Sequence, residues 1–145
     1  MGVGNQADQR QSVLFVCRFN AVRSQMAEAM LRDRYGDRYD ACSAGLYPAG
    51  LDPWAVEVMA ESGIDMAHQT SKLLDIFMER RFDTVVILSD SIQDIIPLPD
   101  AGRYLRVPLP DPIGTSEGRK AAFVQYRRIR DQLDGMIEEI FAPGR

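Results

Sequence analysis

An apolar run from Ser12 to Cys17 (SVLFVC) passes without a linker into a short polar loop and then into a segment where Met26, Ala27, Met30 and Leu31 recur at helical spacing. An unbroken apolar run of this length, bounded by polar residues, predicts a strand buried on both faces of a parallel sheet. The chain can therefore be only a few kinds of thing, because a buried parallel strand needs crossover helices to cover it. Gly36 follows the helical segment Ser24 to Tyr35 as a stop signal.

The rest of the sequence repeats that alternation. Tyr39 to Ala44 predicts a second strand, and PWAVEVMAES from Pro53 to Ser62 a helix with Asp52 as N-cap, Pro53 in its first turn and Gly63 beyond its end. DTVVIL from Asp83 to Leu88 reads as a third strand and Tyr104 to Val107 as a weaker fourth, with short helical pieces around Lys72 to Glu79 and Ser91 to Ile95. Phe123, Tyr126, Ile129, Leu133, Met136, Ile137 and Ile140 trace one face of a long C-terminal helix. Together these predict an α/β three-layer sandwich around a four-stranded parallel sheet with right-handed crossovers, and a ligand site beyond the carboxyl ends of the strands.

With 145 residues, 46% hydrophobic and 26% charged, the chain has the balance of one globular domain, expected over 12–145 after a flexible polar segment 1–11. A formal charge of -4 does not draw it to nucleic acid or to an anionic membrane. Its apolar runs are too short to span a bilayer and its start lacks the apolar stretch of a signal peptide, so a cytoplasmic location is the expectation. Two cysteines and one histidine suffice neither for a disulfide framework nor for a zinc cage.

The chemistry concentrates in CRFNAVRS, from Cys17 to Ser24. A tight loop between a buried strand and a helix can turn successive backbone N–H groups inward at the positive end of the helix dipole, which makes a cradle for an anion. Cys17 then lies at the bottom of the cradle, where those N–H groups, the dipole and Arg23 favour the charged, nucleophilic sulfur. The planar fork of Arg23 suits two oxygens of a tetrahedral oxyanion. Ser24 is placed to donate to the sulfur and Asn20 to tie the loop backbone in a strained shape.

The stretch VLFVCRFNAVRSQMAEAMLR closely resembles the phosphate-loop signature of the low-molecular-weight protein tyrosine phosphatases and the related thiol-dependent arsenate reductases. The resemblance continues through Ser43 to Gly45 (SAG), DPWAVEVMAESGID, VVILSD and the pair Asp111-Pro112. It implies a phosphate-binding loop of Cys17, Arg18, Phe19, Asn20, Ala21, Val22, Arg23 and Ser24. Cys17 is then the nucleophile, Arg23 the transition-state clamp and Asp111 the general acid and later base. It calls for no cofactor or metal. The first expectation is a phosphomonoester hydrolase working through a phosphocysteine, acting on a phosphorylated protein or a small phosphomonoester. An arsenate reductase using an external thiol is the alternative, and an inactive oxyanion-binding regulatory protein a third. No partner protein is indicated.

Departures from the family pattern qualify this. Ile113 and Gly114 stand where many family phosphatases have an aromatic pair, which removes a surface for a phosphotyrosine ring. Val22 replaces a second cysteine, so Cys17 lacks a neighbouring disulfide partner. Ser89 and Ile96 occupy the positions of the relay cysteines of thioredoxin-coupled reductases, while Gln25 and the wording from Gly50 to Asp75 lean toward the reductase branch. Arg18 and Phe19 either line the mouth and favour an acidic substrate or pack locally, and Tyr47 and Trp54 are candidate pocket residues, Trp54 more readily core. Lys72 follows Thr70 and Ser71, where potassium-binding reductases of the family have an acidic residue. Its ammonium is placed either toward Asn20, Glu28 and Ser43 or out into solvent. Cys42 reads as a small buried hydrophobe, His68 as a surface residue, and Arg127, Arg128 and Arg130 as a solvated face.

Overall fold

The computed structural model describes residues 9–89, 97–112 and 118–144. Four parallel strands, β1 (Gln11–Cys17), β2 (Tyr39–Gly45), β3 (Phe82–Ser89) and β4 (Ala101–Leu109), form one sheet in the order β2-β1-β3-β4. Among the described residues, three α-helices accompany them: α1 (Arg23–Tyr35), α2 (Pro53–Glu61) and α3 (Gly118–Phe141). The α/β architecture expected from the sequence is present. The helix expected at Ser91 to Ile95 lies outside the described residues, as do Ile113 and Gly114.

β1 is the reason for the fold. Val13, Leu14, Phe15 and Val16 are wholly buried, which requires cover on both faces of a central strand. Val13, Phe15 and Cys17 join the larger apolar cluster with residues of all three helices. Leu14 and Val16 turn to a second cluster with Leu74, Phe82, Val85 and Ile87. The strands leave β1 in both directions, to β2 on one side and β3 on the other, so the switch point of the sheet lies at the carboxyl end of β1, where Cys17 stands.

Two expectations need adjustment. The helical piece around Lys72 to Glu79 is a single 3-10 turn, Leu74–Phe77, whose Leu74 helps close the second face. The first half of α1 is not amphipathic: every residue from Arg23 to Leu31 is buried, including Arg23, Ser24, Gln25 and Glu28. Such polar burial is stable only if each group finds partners, and those partners define the site.

α2 begins as the sequence says, with the Asp52 carboxylate accepting from the Trp54 N–H at 2.8 Å and proline in the first turn. The arginines on α3 stand on an exposed face as expected, where Arg127 and Arg130 bond Glu61 at the end of α2 and Arg130 also donates to the Val58 carbonyl at 3.1 Å.

Candidate active site

The loop from Arg18 to Val22 is held by its carbonyls. Tyr47 N–H donates to the Arg18 carbonyl at 2.9 Å, Ala49 N–H to Phe19 at 3.0 Å, Asp52 N–H to Ala21 at 3.1 Å and Met26 N–H to Val22 at 2.9 Å. The Asn20 carbonyl accepts from the Ser71 hydroxyl at 2.9 Å and from Gln25 Nε2 at 3.1 Å. In a flat trans peptide the next N–H points opposite to the carbonyl. With every carbonyl drawn outward to the framework, the amides of residues 19–23 turn to the inside of the loop. Val22, the N-cap of α1, offers no side-chain cap to the first-turn N–H groups.

Asn20 is the keystone and takes a left-handed conformation, φ 48°. Its Oδ1 accepts from the Lys72 backbone N–H at 2.7 Å and from Gln25 Nε2 at 3.0 Å. That fixes the amide orientation, so Nδ2 faces two hydroxyls, Ser24 at 2.7 Å and Ser43 at 3.0 Å. Ser43 donates to Glu28 Oε1 at 2.5 Å. Ser24, its oxygen already accepting from Asn20, has its proton free for the Cys17 sulfur, 2.9 Å away. Two donor branches thus leave the Asn20 amide, one through Ser24 to Cys17 and one through Ser43 to the Glu28 carboxylate. Gly45 lets β2 press against the loop: a Cβ there would lie 2.8 Å from the Asn20 nitrogen and 3.0 Å from the Arg18 carbonyl oxygen.

Glu28 also takes an ion pair from Arg32, and Lys72 Nζ lies 3.8 Å from Glu28 Oε1 while donating to the Thr70 carbonyl at 2.5 Å. Of the two placements open to Lys72, the ammonium takes the inward one. Gln69 closes the bracket by donating to the Gln25 carbonyl at 3.0 Å and to Gln25 Oε1 at 2.8 Å.

Arg23 is 2% exposed. One nitrogen of its fork donates to the Leu109 carbonyl at 3.0 Å and another lies 3.6 Å from the Asp111 carboxylate. The end of β4 thus brings Asp111 beside the arginine, 88 positions away in sequence. Beyond it, Tyr126 of α3 donates to Asp52 Oδ2 at 2.6 Å. Burial first, and then the Asp52 carboxylate, push the Tyr126 phenol well above its usual range, so it stays a donor. Trp54 packs on Phe123 and Tyr126 and serves the core.

Cys42 departs from expectation. It is only half-buried, Arg80 points a guanidinium nitrogen at its sulfur at 3.7 Å, and burial pushes its thiol up. His68 is exposed, as expected.

Cys17, Asn20, Ser24 and Arg23 thus share the junction of β1 and α1, with Asp111 beside Arg23, the grouping expected from CRFNAVRS and the Asp111-Pro112 pair. Comparison with known proteins agrees: residues 12–142 match the family model of low molecular weight phosphotyrosine protein phosphatase. The chain belongs to that family. A protein of Halalkalibacterium halodurans named arsenate reductase is 34% identical over 94% of this chain and 99% of its own length. One of Bacillus subtilis with the same name is 30% identical over 94% and 99%. Among solved structures, an arsenate reductase in oxidized state superposes with a TM-score of 0.79 at 28% identity, covering 91% of this chain and 97% of the other. A low molecular weight protein tyrosine phosphatase from T. tengcongensis superposes with a TM-score of 0.72 at 26% identity, covering 90% and 97%.

Sequence reasoning missed the Leu109 carbonyl, the Gln25–Gln69 bracket and the Tyr126–Asp52 bond.

Proposed function

We propose that this enzyme reduces arsenate through Cys17, drawing its electrons from an external thiol. The sequence put phosphomonoester hydrolysis first; the end-to-end match to proteins named arsenate reductase favours the alternative. The observation that carries the proposal is the cradle itself, which presents one sulfur to a tetrahedral oxyanion with Arg23 and Asp111 alongside.

The Cys17 thiolate attacks arsenic; an As–O bond breaks and Asp111 supplies the proton that lets the oxygen leave as water. Arg23 and the inward amides hold the remaining oxygens. A thiolate, RS⁻, then attacks the Cys17 sulfur. The S–As bond breaks, its electron pair stays on arsenic as arsenite, and Cys17 is left as a mixed disulfide. A second RS⁻ attacks the R sulfur, which frees Cys17 and releases RSSR. Two thiols are oxidised for each arsenate reduced.

Phosphomonoester hydrolysis stays the second reading, supported by the Asp111 carboxylate 3.6 Å from Arg23, near enough to serve as the acid that protonates a leaving alkoxide. The test is one purified sample assayed with arsenate plus a monothiol, arsenate plus thioredoxin, and an aryl phosphate. Arsenite with the monothiol alone supports the proposal. Ester hydrolysis without arsenite under any reductant overturns it in favour of the phosphatase.

A further inference from the structure

Arg18 follows Cys17 directly and is exposed, whereas Cys17 itself is 1% exposed. The guanidinium carbon sits 5.4 Å from the ring centroid of Phe19 and 5.9 Å from that of Tyr47. Tyr47 is fixed at this place by its own N–H, which bonds the Arg18 carbonyl at 2.9 Å, yet its side chain is 61% exposed. Among the described residues, the Arg18 guanidinium has these rings for company and no carboxylate bonded to it. A cation is thus steadied between two aromatic faces, without being neutralised, on the residue that follows the buried Cys17.

We propose that this mouth selects the reductant: the external thiol is a small one carrying a carboxylate or another anionic group, which Arg18 receives while the sulfur reaches Cys17. The inference rests on the proposed reduction, since only that reaction needs a second thiol. The charge preference follows from position. The anion of an incoming thiol meets Arg18 at the surface, and a cationic thiol is repelled by Arg18 and by Arg23 behind it. One unit charge at about 6 Å in a watery environment changes an encounter by about three- to tenfold.

The test forms the mixed disulfide from the opposite side, without arsenate. Reduced protein is mixed with small symmetrical disulfides of similar size bearing carboxylate, hydroxyl or ammonium ends. The Cys17 thiolate attacks one sulfur, the S–S bond breaks, RS⁻ leaves and Cys17–S–S–R forms, which is followed by intact mass. The wild type is expected to react about three- to tenfold faster with the carboxylate than with the neutral disulfide, and slowest with the ammonium one. Arg18→Gln should bring the carboxylate-to-neutral ratio close to one, and Arg18→Glu should invert it. Tyr47→Leu, which loosens the guanidinium but keeps its charge, should fall between. A ratio that stays at the wild-type value in both Arg18→Gln and Arg18→Glu overturns the proposal. That outcome leaves arsenate reduction untouched, and a failure of arsenate reduction leaves this ratio readable.

Discussion

Cys17 and Cys42 stand on neighbouring strands but on opposite faces of the sheet. In the parallel register Cys42 pairs with Leu14 and Cys17 with Gly45. Cys17 packs with Val13 and Phe15 in the larger cluster, whereas Cys42 packs against the cluster of Leu14 and Val16. Three residues of strand separate them by about 10 Å along the chain direction. A disulfide needs Cα atoms within about 7 Å and Cβ atoms facing one another.

The expected consequence is that no Cys17–Cys42 disulfide forms during turnover and that thioredoxin as sole reductant does not sustain arsenite release. Burial favours the neutral form of the Cys42 thiol, so alkylation by iodoacetamide at neutral pH should fall on Cys17. Cys42 should join only as pH rises beyond the ordinary thiol range. Peptide mapping across pH measures both, and early labelling of Cys42 alongside Cys17 would count against the arrangement.

Asp111→Asn should slow aryl phosphate hydrolysis by about 10² to 10⁴ for esters with poor leaving groups, and much less for activated ones, because only the former need the proton. Kinetics over a series of leaving groups checks this. Equal losses across the series would mean that Asp111 only shapes the end of β4.

Gly45→Ala should be costly for reasons unrelated to its own strand. The new methyl would meet the Asn20 nitrogen at 2.8 Å and Asn20 Cβ at 2.9 Å, so the loop must shift, at about 1–3 kcal/mol. Chemical denaturation should register the loss, and inorganic phosphate should bind more weakly. Unchanged phosphate affinity would show that the cradle does not depend on this contact.

Much of this was legible in the sequence where short-range rules apply. The burial of Val13 to Cys17, the Asp52–Pro53 helix start and the α3 stripe follow from periodicity and capping chemistry. The loop residues were legible because strand, loop and helix adjoin in the chain. What joins distant segments was not. No local pattern sends the Arg23 fork to the Leu109 carbonyl, buries Gln25 against Gln69, or pairs Arg127 and Arg130 with Glu61. Cys42 packs against the apolar cluster as a small hydrophobe but is only half-buried, because its strand lies at the edge of the sheet, where Arg80 can reach the sulfur.

Lys72 supplies a positive charge 3.8 Å from Glu28, in the network that holds Asn20. Activity should therefore be insensitive to potassium at constant ionic strength, and Lys72→Ala should lower the thermal midpoint while leaving the helices folded. Turnover followed in potassium and in a bulky organic cation decides it. Strong potassium activation of the wild type would mean that the ammonium does not fill this role.

The most direct test of the account is intact and peptide mass spectrometry of enzyme quenched during turnover with arsenate and a monothiol, timed against arsenite release. The prediction is a Cys17 adduct carrying one thiol residue, formed and resolved at the rate of arsenite production, absent without arsenate and absent in Cys17→Ser. Arsenite release from Cys17→Ser at the wild-type rate, or a Cys17–Cys42 linkage appearing in step with arsenite, would contradict it.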